Sequence, residues 1–262
     1  MGEDRIYETD DGGAPFRFND NVAAVFPDML RRSIPGYTAS LEAIGSLAAR
    51  YVRAGTHCYD LGCSLGAATL AMRQGIAAEG CTIFAVDVAP AMIARCREII
   101  AEDDRLNAPP TAITVIEDDV RNVDIVNASM VVLNYTLQFL APEDRDAMID
   151  RIHAGMTDGG LLVLSEKVVD ENAHMEELLV DLHHEHKRPK DNSPHQIARK
   201  RAPLEDVQIP QTLRTHRQRH EHAAFPQTAD SHRYYNYVSI IAIRSPAERR
   251  DPYYRTPTQP RL

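Results

Sequence analysis

The chain has 262 residues, enough for one large domain or one domain with an appendage, and its 44% hydrophobic content supports a proper core. Its 29 basic and 38 acidic residues give a formal charge of −9, which argues against a broad phosphate-binding surface for nucleic acid. We expect a cytoplasmic protein, because the N-terminus lacks a signal-peptide pattern, no apolar run reaches membrane-span length, and the four cysteines lack C-x-x-C spacing.

Two helices are predicted before the first strand. Residues 1–18 are polar and are expected to form a flexible arm. Residues 19–33 follow a helical pattern, in which Asn19 can cap the helix and apolar residues repeat on one face. Pro35 and Gly36 end that pattern, and a second helix is predicted over 38–53. These two helices resemble a cap over a ligand pocket.

Strands and helices then alternate along the chain, with strands predicted at 58–61, 81–86, 112–116, 130–133 and 161–164. The intervening helices are expected at 66–77, from Pro90, and at 142–155. This alternation predicts an α/β domain over 19–245, with a mostly parallel sheet, helices on both faces and ligand contacts at the carboxyl ends of the strands.

The C-terminal part departs from the alternation. A charged helical insertion is predicted over 171–222, and a closing strand over 237–243. Residues 246–262 contain several prolines and arginines and are expected to form a flexible tail.

A glycine-rich turn follows the first predicted strand, in the segment Asp60-Leu61-Gly62-Cys63-Ser64-Leu65-Gly66. Glycine permits a sharp turn and a close approach of ligand, and the helix after Gly66 directs free N–H groups at the turn. A carboxylate beside that turn suits a cationic amino group. The pattern resembles the first motif of the class I S-adenosylmethionine (SAM) methyltransferase fold, with Ser64 where a middle glycine is common.

Two other interpretations of this turn remain open. The segment 62–67 does not fit the G-x-G-x-x-G dinucleotide fingerprint, but 62–66 does match G-x-S-x-G, the nucleophile elbow of α/β-hydrolases. An elbow normally follows several earlier strands, whereas only helical patterns precede this one. The turn is also compatible with a strand–helix connection that binds nothing.

Polar residues end the next three predicted strands. Asp87 can accept two hydrogen bonds from a ribose diol. Asp119 and Val120 can contact an adenine through its amine and its ring face, and Asn134 offers a donor and an acceptor. Each of these residues is also a common turn former, so the site prediction depends on their occurring together.

No metal site is predicted. The histidines of 183–186 lack zinc-binding spacing, and a polar helix face explains them better. The basic runs at 187–188 and 199–201 suit either a solvated face or binding of a carboxylate at the open side of the pocket. No general base is evident, so the motifs predict SAM binding better than they predict a reaction.

Taken together, several longer segments resemble the carboxy-S-adenosyl-L-methionine (carboxy-SAM) synthase family, across roughly 19–244. They are 25–29 (VFPDM), 33–37 (SIPGY), 59–70 (YDLGCSLGAATL), 90–93 (PAMI), 96–97 (CR), 127–140 (NASMVVLNYTLQFL), 164–167 (LSEK), 200–201 (KR) and 212–217 (TLRTHR). These motifs are far more specific than the glycine-rich turn alone.

The resemblance implies a chemistry other than methyl transfer. Members of the family convert SAM and prephenate to carboxy-SAM and phenylpyruvate, by deprotonating the SAM methyl to a sulfonium ylide that captures the CO₂ released from prephenate. The product serves a partner enzyme that carboxymethylates the wobble uridine of tRNA, and the family is dimeric. We therefore expect a homodimer. The formal charge of −9 further predicts that it does not itself bind tRNA tightly.

The resemblance also implies the ligand contacts. The family's SAM contacts fall on Tyr37, Gly62, Cys63, Ser64, Asp87, Val88, Asp119, Val120 and Asn134, to which the motif analysis adds Asp60. Arg201 corresponds to the arginine that holds the added carboxylate, and it is the predicted catalytic residue.

This chain departs from the family in three places. Val88 stands where a polar residue is frequent, the chain has no tryptophan before the last strand, and 189–198 lack the usual pattern. Two alternatives stay open: a SAM-dependent methyltransferase acting on a small molecule or tRNA, and a non-catalytic SAM-binding partner subunit.

Overall fold

The computed structural model describes residues 18–187 and 207–245. The expected arm and tail, the segment 189–198 and Arg201 lie outside these ranges, except for the arm's last residue. That residue, Phe18, packs edge-on against Phe26 and Phe139, with ring centroids 5.9 and 5.8 Å away.

The helices of the described ranges follow the predicted order. Asn19 caps the first one by accepting a hydrogen bond from the Val22 amide at 3.1 Å, as the sequence predicted. In these ranges no helix is both long enough and apolar enough to cross a bilayer. The α-helices are α1 (Asp20–Ser33), α2 (Tyr37–Tyr51), α3 (Ala67–Gly75), α4 (Pro90–Asn107), α5 (Arg145–Gly155), α6 (Ala173–Lys187) and α7 (Leu213–His222).

One mixed sheet forms the centre of the molecule. Its strands are β1 (His57–Leu61), β2 (Thr82–Asp87), β3 (Ala112–Glu117), β4 (Ala128–Asn134), β5 (Met156–Val169), β6 (Gln211–Thr212), β7 (Gln227–Tyr234) and β8 (Tyr237–Ile243). The order is β3-β2-β1-β4-β5-β8-β7, with β6 beside β5. The strands β1 to β5 are parallel to one another, and β8 is antiparallel to both β5 and β7. The predicted class I methyltransferase fold is confirmed.

Both faces of the central strands are buried, because helices cover each face of the sheet. Successive side chains of a strand point to opposite faces. On one face, side chains such as Leu133 pack with Ile149 and Ile152 of α5. On the other, neighbours such as Val132 pack with Ile44 of α2 and with α3. The strand order reverses beside β1, which pairs with β2 on one side and β4 on the other, and this opens a crevice at the carboxyl ends of those strands.

The C-terminal region contains more strand than predicted. The segment 227–234 forms β7, an edge strand that the sequence analysis missed because nearly all of its side chains are exposed and carry no apolar alternation. The strand expected at 161–164 extends over all of β5, and α5 begins later than predicted, after a 3-10 turn at Pro142–Asp144. The predicted helical insertion contains β6 between α6 and α7.

The contact between α2 and α3 yields a stability prediction. A Cβ atom added at Gly75 would lie 2.0 Å from the carbonyl oxygen of Gly45, so the two helices must separate to accept it. We expect Gly75→Ala to lower the free energy of unfolding by about 1–3 kcal/mol in urea titrations, the usual cost of overpacking. The exposed neighbour provides a matched control, since Gln74→Ala should change it by less than about 0.5 kcal/mol. If Gly75→Ala lowers the free energy of unfolding as little as Gln74→Ala does, the two helices accommodate the added methyl group without cost.

Candidate functional site

A cavity of about 570 Å³ opens at the carboxyl ends of the parallel strands. This volume lies in the range of about 300–1,000 Å³ that is typical of small-molecule sites. Helices α1 and α2 contribute to its wall, as predicted for a cap. The predicted contacts within the described ranges all line it: Tyr37, Asp60, Gly62, Cys63, Ser64, Asp87, Val88, Asp119, Val120 and Asn134. Their binding roles stay predictions, and Arg201 lies outside the described residues.

The glycine-rich turn forms the floor of the cavity beside β1. The amides of Gly62 and Cys63 both donate to the carbonyl oxygen of Val86, each at 2.8 Å, and this fixes the turn against β2. Gly62 has φ +84°, and a Cβ atom there would lie 2.3 Å from the Thr136 hydroxyl oxygen, so only glycine fits without rearrangement. Ser64 has φ +51°, which explains why a glycine commonly occupies this place in related motifs.

Asp87 connects two turns at the cavity. Its Oδ2 accepts from the Ser64 amide at 2.8 Å, and its Oδ1 accepts from the Ala89 amide at 2.9 Å. Burial raises the pKa of Asp87, whereas these amide hydrogen bonds act to lower it. A carboxylate has about four acceptor positions, so Asp87 keeps capacity for a ribose diol while it holds the turn.

Asp60 is fully buried at the side of the cavity. Its Oδ2 accepts from the Thr69 hydroxyl at 2.5 Å, whereas Oδ1 has no hydrogen-bond partner among the described residues. Burial raises the pKa of Asp60 to about 6. A buried acceptor left unpaired is costly, and a cationic amino group in the cavity would relieve that cost.

Three further predicted SAM contacts, Val88, Asp119 and Val120, have different surroundings. Val120 is buried, whereas Val88 is 66% exposed at the cavity rim. The carboxylate of Asp119 is held by the Arg121 guanidinium, with N–O distances of 2.9 and 2.6 Å, and Arg121 also pairs with Asp144. An adenine amine would therefore share the Asp119 carboxylate with Arg121.

Asn134 ends β4 at the cavity. Its Oδ1 is buried and has no hydrogen-bond partner among the described residues. This oxygen is thus a second unpaired acceptor at the cavity wall, in addition to Asp60 Oδ1.

Behind the wall lie two buried ionisable residues, Arg145 and Glu166, whose roles the sequence analysis did not identify. Arg145 is fully buried and donates to the carbonyl oxygens of Gln138 and Leu140, at 3.1 and 2.8 Å from Nη2. Glu166 is also fully buried; burial raises its pKa to about 8, and the nearby Arg145 opposes that rise. Gln138 and Leu140 line the cavity, so Arg145 fixes this part of the wall. The available signal was Glu166 itself, an acidic residue just after the apolar run at 161–164.

Two lysines, Lys167 of β5 and Lys187 of α6, bring positive charge to the cavity wall, to which His183 and His184 of α6 also contribute. The polar-face interpretation was wrong for His183, which is buried and lies 5.0 Å from the Tyr237 ring. Burial lowers the pKa of His183 to about 3, so its ring is neutral and Nε2–H donates to the Ser33 carbonyl at 2.8 Å. His183 thereby joins α6 to the end of α1.

The contacts of Ser64 do not support the nucleophile-elbow interpretation of the glycine-rich turn. The Ser64 hydroxyl is buried and has no hydrogen-bond partner among the described residues, so no histidine of these ranges activates it as a nucleophile. Within residues 18–187 and 207–245, no group of three or more histidine, cysteine or acidic residues is arranged to hold a metal ion.

Asp60 yields a prediction about pH and stability. Its pKa of about 6 in the folded protein exceeds the value of about 3.9 for an unfolded chain, so the folded state binds more protons between these values. The free energy of unfolding of the ligand-free protein should therefore fall as pH rises from about 4 to about 6. Asp60→Asn should remove this fall and be more stable than the wild type at neutral pH, by on the order of 1–3 kcal/mol, yet bind SAM more weakly.

The measurements are urea unfolding at several pH values and calorimetric titration with SAM. Asp124→Asn, which changes an exposed carboxylate, should follow the wild type in both. If Asp60→Asn keeps the wild-type pH profile, Asp60 does not titrate in this interval.

Comparison with solved structures agrees with the fold. A putative SAM-dependent methyltransferase from Methanococcus maripaludis is similar with a TM-score of 0.57 and 18% identity, covering 90% of this chain and 98% of that one. The human N-acetylserotonin methyltransferase, solved with SAM, has a TM-score of 0.56 and 16% identity, covering 86% of this chain and 55% of that one. At these identities the likeness shows the fold alone.

Sequence comparison identifies the family. A family model described as a methyltransferase domain matches residues 59–162. The carboxy-S-adenosyl-L-methionine synthase of Geobacter sp. (strain M21) is 48% identical over 229 residues, which are 87% of this chain and 93% of that protein. The synthase of the same name from Aliivibrio fischeri is 46% identical over 242 residues, which are 92% of this chain and 98% of that protein. This chain therefore belongs to the carboxy-S-adenosyl-L-methionine synthase family.

Proposed function

We propose that this protein is a carboxy-SAM synthase, which transfers the CO₂ unit of prephenate to the methyl group of SAM. The observation that carries the proposal is the identity of 46–48% to proteins of that name over nearly their whole length. The cavity supports it, because the predicted SAM contacts of the described ranges line one space at the strand ends.

The cavity offers a place for each part of SAM. The unpaired Oδ1 of Asp60 suits the amino group of the methionine part, and Asp87 suits the ribose hydroxyls. Asp119 and Val120 suit the adenine, by an acceptor and an apolar contact, respectively. The glycine-rich turn then lies beside the methionine part, and Asn134 and Tyr37 complete the wall around it.

The proposed reaction makes one carbon–carbon bond. Prephenate loses CO₂ and its ring hydroxyl and becomes phenylpyruvate. The SAM methyl gives up a proton, the resulting sulfonium ylide attacks CO₂, and the proton and the departing hydroxide form water, so atoms and charges balance. The base can thus come from the substrate, which is consistent with the absence of an obvious general base from the sequence.

The charges at the cavity fit an anionic second substrate. Lys167 and Lys187 line the side away from the adenine contacts, and prephenate carries two carboxylates that pair with such cations. We propose Arg201 as the residue that holds the carboxylate added to SAM. The product would serve an enzyme that carboxymethylates the wobble uridine of tRNA, and this chain is expected to act as a homodimer in the cytoplasm.

A SAM-dependent methyltransferase is the second candidate, because the methyltransferase model matches 59–162 and includes most of the predicted SAM contacts. A non-catalytic SAM-binding subunit is the third. The three candidates differ in what they form when SAM and prephenate are supplied together.

The deciding experiment is mass spectrometry of the ligand that co-purifies with the protein, followed by turnover with SAM and prephenate. We expect a ligand heavier than SAM by one CO₂, and equal amounts of carboxy-SAM and phenylpyruvate in turnover. Formation of S-adenosylhomocysteine from an added acceptor would favour the methyltransferase. Bound SAM without any turnover would favour the partner subunit.

Arg201 yields a prediction that separates a carboxylate contact from a general loss of binding. Arg201→Ala should weaken binding of carboxy-SAM about tenfold to a hundredfold more than binding of SAM, because it removes a charge-assisted hydrogen bond worth about 1.5–3 kcal/mol. Arg201→Lys should recover only part of this, because an ammonium cannot reproduce the fork of a guanidinium. The measurement is the pair of dissociation constants on each variant, with Lys200→Ala as the neighbouring control. Equal losses for both ligands would contradict the role.

A further inference from the structure

Three tyrosines from separate elements meet in the cavity. Tyr37 begins α2, Tyr135 follows β4 and Tyr237 begins β8, and all three line the cavity although each side chain is more than nine-tenths buried. The Tyr37 and Tyr135 ring centroids are 6.4 Å apart and those of Tyr135 and Tyr237 are 5.9 Å apart, with interplanar angles of 36° and 71°. Neither pair is stacked face to face. We call these residues the tyrosine triad.

The central member of the triad has an unusual backbone. Tyr135 has φ +62°, in the left-handed region that bulky residues rarely adopt. Its amide donates to the carbonyl oxygen of Ser165 at 2.8 Å, which anchors this conformation to β5. Such outliers persist where the surroundings enforce them, and they concentrate at functional sites. Here the outlier places a phenol ring beside Asn134, at the cavity wall.

Acidic neighbours of Tyr37 and Tyr135 favour a cation beside these two members of the triad. Burial raises the pKa of Tyr37, and the neighbouring carboxylate of Asp60 raises it further. Burial likewise raises the pKa of Tyr135, with Glu166 contributing in the same direction. The phenols of Tyr37 and Tyr135 therefore stay neutral, and their π-faces carry partial negative charge in a desolvated space close to Asp60, which already suits a cationic group.

We propose that the tyrosine triad is an onium site, which binds the positive sulfonium of SAM by cation–π interaction and discriminates against the neutral thioether of S-adenosylhomocysteine. The inference rests on the proposed function and gives a reason why that function would need selectivity for a positive sulfur. A methyltransferase turns its sulfonium into a thioether in every cycle, whereas carboxy-SAM synthesis leaves the sulfonium intact in both substrate and product. A site selective for positive sulfur thus suits every step and excludes a competitor that other methyltransferases produce.

The test compares leucine and phenylalanine at Tyr135 and Tyr237. Leucine keeps an apolar contact with the methyl group but lacks a π-face, so each leucine variant should bind SAM about three- to thirtyfold more weakly while its affinity for S-adenosylhomocysteine changes little. Phenylalanine should preserve the wild-type preference for SAM. Both dissociation constants are measured by calorimetry on each variant.

Tyr234→Leu provides the matched control, since Tyr234 is 42% exposed on β7 and is not part of the cavity lining. It should bind both ligands as the wild type does. Tyr135→Leu combines a lost ring with a strained backbone, so Tyr237→Leu decides the matter if the former does not fold.

Two results overturn the proposal: equal losses for both ligands in Tyr237→Leu, or loss of the preference for SAM in the phenylalanine variants. Because these are binding measurements, their failure is distinguishable from failure of the proposed function. A wild type that prefers SAM through the triad but forms no carboxy-SAM would refute the function and leave the onium site standing. If the wild type forms carboxy-SAM but the leucine variants lose affinity equally for both ligands, the function stands and the onium site is refuted.

Discussion

The candidate site depends on the carboxylate of Asp87. By accepting from the amides of Ser64 and Ala89, it connects the glycine-rich turn after β1 to the turn after β2. Hydrogen bonds to a charged acceptor are about twice as strong as neutral ones, so this one side chain stabilises a turn that contains residues with positive φ. The same carboxylate lines the cavity, so a ligand that bound Asp87 would contact a residue that also stabilises the floor.

The cavity carries a cost that a bound ligand can offset. Asp60 and Asn134 each have a buried oxygen without a hydrogen-bond partner among the described residues, and Tyr135 adopts a strained backbone. Each feature lowers the stability of the ligand-free protein, and hydrogen bonds or charge pairing from a ligand would remove part of the penalty. Binding to the folded state alone also stabilises by mass action, so the site and the stability of the domain are thermodynamically linked.

The sequence predicted which strand-end residues line the cavity, because local chemistry dictates their positions. A glycine-rich turn and strand-end acids such as Asp87 follow from the α/β alternation, and parallel strands bring their carboxyl ends to the same edge. Other features depend on contacts distant in sequence. Arg145 supports the wall through carbonyl oxygens, and β7 is a polar edge strand held by its pairing with β8, so neither leaves an apolar pattern to find. His183 lies in a charged segment typical of an exposed helix, and its burial depends on contacts with Ser33 and Tyr237, which are distant in sequence.

The distribution of the wall along the chain suggests how one fold accommodates another reaction. The methyltransferase model covers 59–162, which holds most of the predicted SAM contacts. Tyr37 precedes that segment, while Lys167, His183 and Tyr237 follow it, and all four line the same cavity. Because function resides in sites placed on a fold rather than in the fold itself, these flanking residues are where a change from methyl transfer to carboxylation should be encoded.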